Sequence, residues 1–256
     1  MATHRFVPSA LATLALVACG ETGSAGLTIR ATSNLGAEAD AGPSTALAFQ
    51  DDAGTTYTAT EALLRIREIE LQLPRGVRCS DVESELAGGA RCDRGDDEDE
   101  IQIRGPFVVD LLTGASTPSL DEVRVPAVTY REVEFELNDD DETGPLAGHS
   151  FSVRASYDDA GTPAELVIRL DGDSDVEIER PEGVRVESGQ SLVILLDASK
   201  WMQGAPLRAC IDGKGLQAVD GVVTIDPSTG CNDLMSVLHQ RIEDSCDLDD
   251  DDRYDD

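Results

Sequence analysis

Four carboxylates, Asp171, Asp173, Asp175 and Glu182, occupy positions one, three, five and twelve of a segment that starts Asp171-Gly172-Asp173-Ser174-Asp175-Val176-Glu177-Ile178. That spacing matches the ligand order of a calcium loop, in which a hard cation gathers several oxygens. Position six is Val176, where the sharp turn of such a loop calls for glycine. The residues therefore favour a hairpin, with 166–170 turning through 171–174 into 176–178, and calcium is the one cofactor they suggest. Acidic clusters at 96–100 and 138–142 read as solvated loops, with weak calcium capture as the alternative.

Raw material for catalysis is thin. Beyond residue 18 the histidines are His149 and His239, read as a surface-loop residue and a residue on the polar face of a helix. Gly148-His149-Ser150 is not a nucleophile elbow, and Gly213-Lys214-Gly215 lacks the spacing and hydroxyl of a phosphate loop. Trp201 reads as core in preference to a sugar-stacking platform. Carboxylate pairs are so abundant that none is specific, so no catalytic residue is assigned.

The elements that would position these residues begin with the N-terminus. His4 and Arg5 precede an uncharged run over 6–17, too short for a permanent span, which needs ~20 apolar residues, and right for a secretory signal. Leu16-Val17-Ala18-Cys19 closes that run and resembles the lipobox of bacterial lipoproteins. The resemblance implies cleavage before Cys19 and a lipid anchor on it; an ordinary cleaved signal with a chance cysteine is the alternative. Gly20 stands where inner-membrane retention in enteric bacteria uses Asp, so the resemblance implies the outer membrane, on its periplasmic or surface side.

Formal charge is −31, from 20 basic and 51 acidic residues, which argues against nucleic acid as a partner. Export would place Cys79, Cys92, Cys210, Cys231 and Cys246 in an oxidising compartment. Cys79 and Cys92 bracket a polar loop and form the best candidate pair. The remaining three leave one unmatched. If a helix runs from Asn232 to Asp244, Cys231 and Cys246 lie too far apart to bridge, and Cys210 would pair with one of them.

The body reads as β. Glu132-Val133-Glu134-Phe135-Glu136-Leu137 alternates cleanly, as do 151–157, 166–170, 176–178 and 184–186, while 107–109 and 192–196 are apolar on both faces and read as central strands. Residues 62–73 fit a helix or a strand; the strand is favoured, with a one-residue slip at Arg67-Glu68 absorbed by a bulge. The successive segments TEALLRIREIELQLP, PFVVDLL, VPAVTYREVEFEL and SLVILLD, ahead of Trp201, resemble a domain family of unknown function in bacterial lipoproteins, across Thr60 to Trp201. Val128 stands where that family's turn has glycine. The resemblance implies a β-sandwich on the envelope and transfers no catalytic residue.

The expected fold is thus all-β, an antiparallel sandwich of about seven to nine strands with a small C-terminal appendix carrying a short hairpin at 222–225 and one short helix. Expected organisation is a signal at 1–18, a lipidated flexible tether at 19–45 with one early strand near 27–30, the sandwich at 46–201, a disulfide-containing appendix at 202–246 and an acidic disordered tail at 247–256. The expected function is a non-catalytic envelope lipoprotein, a binding or structural module held to the membrane, with its protein or polysaccharide partner and its oligomeric state undetermined. A calcium-dependent adhesin is the alternative, and a hydrolase with an acidic pair the more distant one.

Overall fold

One strand of seventeen residues, Thr56–Gln72, runs through the centre of the fold in a computed structural model that describes residues 23–31, 47–95, 98–139, 143–196 and 198–244. In chain order the strands are β1 (Ser24–Ala31), β2 (Leu47–Gln50), the long strand as β3, β4 (Ala90–Arg94), β5 (Asp99–Asp110), β6 (Ser116–Thr117) and β7 (Val125–Pro126). They continue as β8 (Thr129–Leu137), β9 (Phe151–Asp159), β10 (Thr162–Leu170), β11 (Ser174–Arg185), β12 (Ser191–Leu196) and β13 (Val222–Ile225). The helices are α1 (Cys79–Val82), α2 (Ala198–Met202), α3 (Leu207–Lys214) and α4 (Asn232–Asp244).

The strand reading of 62–73 holds, and so does the slip. Leu64 and Ile66 are buried, then Ile69 and Leu71, and both β5 and β8 shift register against β3 between Ile66 and Glu68. Arg67 is the inserted residue. Were Arg67 paired as an ordinary strand residue, the period-two alternation would turn Glu68 and Glu70 into the core.

One side of β3 is bordered by two strands laid end to end, β9 along Tyr57 to Leu64 and β8 along Ile66 to Leu71. β10 runs beside β9 and β11 beside β8, so β10 and β11 are likewise end to end, joined by residues 171–173. The expected hairpin between them is therefore corrected: each finds its partner in a different strand. β2 and β5 border the other side of β3, and β5 carries β4 and β6. A smaller sheet, in the order β12-β1-β7, joins the same continuous core through Leu27, Ile29, Leu192 and Ile194.

The fold is predominantly β, in two sheets, as the patterning implies. The thirteen strands among the described residues exceed the expected number, because the short β2, β6 and β7 leave no readable alternation. Two pairings are parallel, β1 with β12 and β10 with β13. The hairpin expected around 222–225 is reduced to a tight turn closed by the single antiparallel bridge Val219–Val222, and β13 docks on β10. The early strand expected near 27–30 is β1, and its Leu27 and Ile29 are core residues and not part of a free tether. Residues 192–196, read as a central strand, form an edge of the small sheet.

Trp201 on α2 is 1% exposed and meets Phe151 edge-on at 5.5 Å, a core residue as expected. α4 starts at Asn232 and packs on α2 and β11 through Leu234, Leu238 and Ile242. Four helices are present among the described residues where one was expected, three of them eight residues or shorter. Cys79 pairs with Cys92 and Cys210 with Cys231, at Cα separations of 5.6 and 5.7 Å. Cys19, Cys246, the segments expected to be signal and acidic tail, and the acidic positions 96–97 and 140–142 lie outside the described residues.

Because the single tryptophan sits on a segment that follows the sandwich in sequence and packs into its core, its fluorescence and the far-UV dichroism should lose signal at one common urea midpoint. An earlier tryptophan transition would show 198–244 detaching on its own. Phe135→Ala, which empties a fully buried position between Ile69 and Val176, should lower unfolding stability by about 3–5 kcal/mol in the same measurement.

Candidate functional site

Asp171 sits where β10 ends, and three other parts of the chain meet it. His149, from the loop between β8 and β9, contacts its carboxylate through Nδ1. His239 of α4 donates from Nε2 to its carbonyl oxygen at 2.7 Å. The neighbouring Gly172 N–H donates to Asp139 Oδ2 at 2.8 Å. Beneath the same loop the buried Arg65 guanidinium donates to the Thr143 carbonyl at 3.4 Å.

His149 and His239 therefore converge on one residue, although sequence places them 90 positions apart. They are half-buried ties in place of the loop and helix surface residues expected. Each has a hydrogen-bond partner that holds the break between β10 and β11 in place. No signal in the sequence marks this meeting, since it depends on which strands lie end to end.

The candidate calcium set is not assembled. Asp171 is engaged with His149, and Asp175 lies on β11 opposite Glu136. Glu182 lies beyond the register break that follows Glu179. A strand advances ~3.3 Å per residue, so Asp175 to Glu179 alone covers ~13 Å, far more than one ion's coordination shell. Asp171, Asp173, Asp175 and Glu182 are thus not gathered as the ligands of a calcium loop would be: the extended strand spreads them out.

A different acidic array does form. On the outer face of the large sheet, Glu177 of β11 lies opposite Glu134 of β8, Glu134 opposite Glu70 of β3, and Glu70 opposite Gln102 of β5. The adjoining row runs Asp175, Glu136, Glu68, Arg104, and the row on the other side pairs Glu179 with Glu132. The same strands send Val133, Phe135, Ile69, Leu71, Val176 and Ile178 into the core, so strict alternation brings the carboxylates together. The alternating glutamates of 132–136 were visible in the sequence. Their register against the other carboxylates was not.

Positive charge meets this array at Glu68 and Glu136. Arg104 bonds Glu68 at 3.0 Å, Arg67 contacts Glu136, and Gln102 donates to Glu70 and Glu100 at 3.1 and 2.9 Å. The Glu70 carboxyl is pushed up to about 7, by partial burial first and then by Glu100, Glu134 and Glu68. Glu132 and Glu134 are raised as well, chiefly by partial burial and then by the acids of β11. The ligand oxygens of Glu132, Glu177 and Glu179 lie within 4.8 Å of one another, the one such group among the described residues. Glu177 and Glu179 are exposed to water, and the trio reads as crowding of like charge. An acid/base pair for hydrolysis would need a cleft, whereas Glu70 lies on a sheet face.

Directly opposed like charges cost a sheet stability. In the folded chain Glu70 holds its proton more tightly than in the unfolded chain, where the value is near 4.5, so stability is gained as pH falls through about 7 and is smallest above it. The melting temperature should therefore be higher at pH 6 than at pH 8, by about 2–4 °C for each ~1 kcal/mol relieved. Glu70→Gln should raise it at pH 8 and narrow the difference; an unchanged pH dependence in that variant would count against the crowding.

No family model matches this chain, and no curated protein or solved structure is similar to it.

Proposed function

We propose that the chain is a non-catalytic lipoprotein of a bacterial cell envelope, fastened through Cys19 to the outer membrane. In this reading it is a binding module whose working surface is the outer face of β11, β8, β3 and β5, and its partner is a protein presenting clustered Lys and Arg. The observation that carries the reading is the cross-strand register of the carboxylates. Each opposed pair costs folding stability on the order of 0.2–1 kcal/mol, and a face kept in that state is complementary to positive charge.

Several features support the envelope half of the reading. Leu16-Val17-Ala18-Cys19 follows an uncharged run at a signal-like position. Two disulfides suit an oxidising compartment. Against catalysis stand the two histidines, each occupied in tying loops together at Asp171.

Two measurements test the two halves separately. Growth with radiolabelled fatty acid followed by fractionation should find label and protein together in the outer membrane, and Cys19→Ala should lose the label and turn soluble. Unlabelled, soluble wild type would sink the anchor. Titration with a fluorescent ten-residue oligolysine should show saturable binding that weakens steeply with salt, and Glu132→Gln/Glu134→Gln/Glu177→Gln should weaken it about tenfold or more. Equal affinity in wild type and the triple variant would remove the acidic face as the working surface.

A further inference from the structure

Residues 192–196 are apolar at every position, the pattern of a strand covered on both sides. Yet among the described residues β12 pairs with β1 alone, and Val193 is 45% exposed. Facing it is β11, an edge of the large sheet, which breaks register with β8 between Glu179 and Val184. Residues 180–183 stand there against Arg131 alone, so the strand bows outward as at a large bulge. The bow is fixed by Gly183, at φ +74°, where a β-carbon would come within 2.4 Å of Thr129 Cγ2.

Between the two sheet edges the bow leaves a cavity of about 230 Å³, walled by Val133, Ile178, Val184, Leu192 and Ile194. Three large apolar side chains are exposed among the described residues, and two of them, Val184 and Val193, are in its lining. Arg131 and Arg180 are in the lining too. In a chain with 51 acidic residues, neither guanidinium has an ion pair or hydrogen bond among the described residues. An apolar slot with two uncommitted cations beside it has the polarity of an amphiphile in reverse.

We propose that this cleft binds a single-chain amphiphile with an anionic head group, its tail between the edges of β11 and β12 and its head on Arg131 and Arg180. The volume selects one chain of medium length, since 230 Å³ equals about eight water volumes of ~30 Å³ and falls below the ~300–1,000 Å³ of larger ligand pockets. Glu132 is the acidic residue in the lining. Burial, followed by Glu177 and Glu179, pushes its carboxyl up, which eases its protonation beside an anion. The site depends neither on the lipid anchor nor on the basic partner, and its failure would leave both standing.

Calorimetric titration of the full chain, below micellar concentrations, tests the site with octanoate, decanoate, dodecanoate, decyl phosphate and decylamine. Expected is 1:1 binding of the anions, rising about fourfold per added methylene until the slot is full, with decylamine at least tenfold weaker than decanoate. Preference between decanoate and decyl phosphate then names the head group. Arg131→Gln/Arg180→Gln should weaken decanoate about tenfold, and Val193→Asp should abolish binding, both at an unchanged urea midpoint because these side chains are exposed. Affinity independent of chain length, equal binding of decylamine, undiminished binding by the arginine variant, or no saturable binding at millimolar decanoate would each overturn the proposal.

Discussion

A single inserted residue on β3 holds the two halves of the large sheet in agreement. From Ala62 to Ile66 the buried apolar side chains sit at even positions, and from Ile69 onward at odd ones. Arg67 absorbs the change of phase, and β5 meets it with Gly105 and Pro106 where the other strand has one residue. Since every side chain on a strand changes face when register moves by one, this insertion decides which residues the second half of β3 buries. β8 shifts at the same place, so the decision propagates outward to β11.

Burial and charge are consequently two sides of one pattern. The alternation that drives Phe135, Ile69 and Val176 inward is what sets Glu134, Glu70 and Glu177 side by side on the outer surface. Burying the aliphatic face, at roughly 1.5–3 kcal/mol per large side chain, outweighs the smaller repulsion between partly solvated carboxylates. The chain can therefore hold a densely acidic surface without losing its core, and the raised carboxyl of Glu70 is the residue of that competition.

Much of the body is legible from sequence because alternation is a local property. The strand at 62–73, its bulge, the inward face of Val133, Phe135 and Leu137, the burial of Trp201 and the Cys79–Cys92 pair all follow from near neighbours. What fails are statements about which strand lies beside which. The step from β10 to β11 has the turn residues of a hairpin, yet a collinear pair needs the same small connection, and only the distant strands β8 and β9 decide between the two. The histidines meet Asp171 for that reason, and the carboxylates of the calcium-like spacing scatter for it. Residues 192–196 mislead in another way, since an apolar edge and an apolar centre look alike in one dimension.

The parallel pairing of β1 with β12 bears on how the body responds to pulling. β1 begins at Ser24, five residues beyond Cys19, and at ~3.6 Å per residue that backbone reaches at most ~18 Å. A protein fastened at that cysteine would ride close against the bilayer on a short leash. Tension from the membrane would act along β1, loading its register with β12 from Gly26 to Ala31 in shear, so that the backbone bonds resist together and do not unzip one after another.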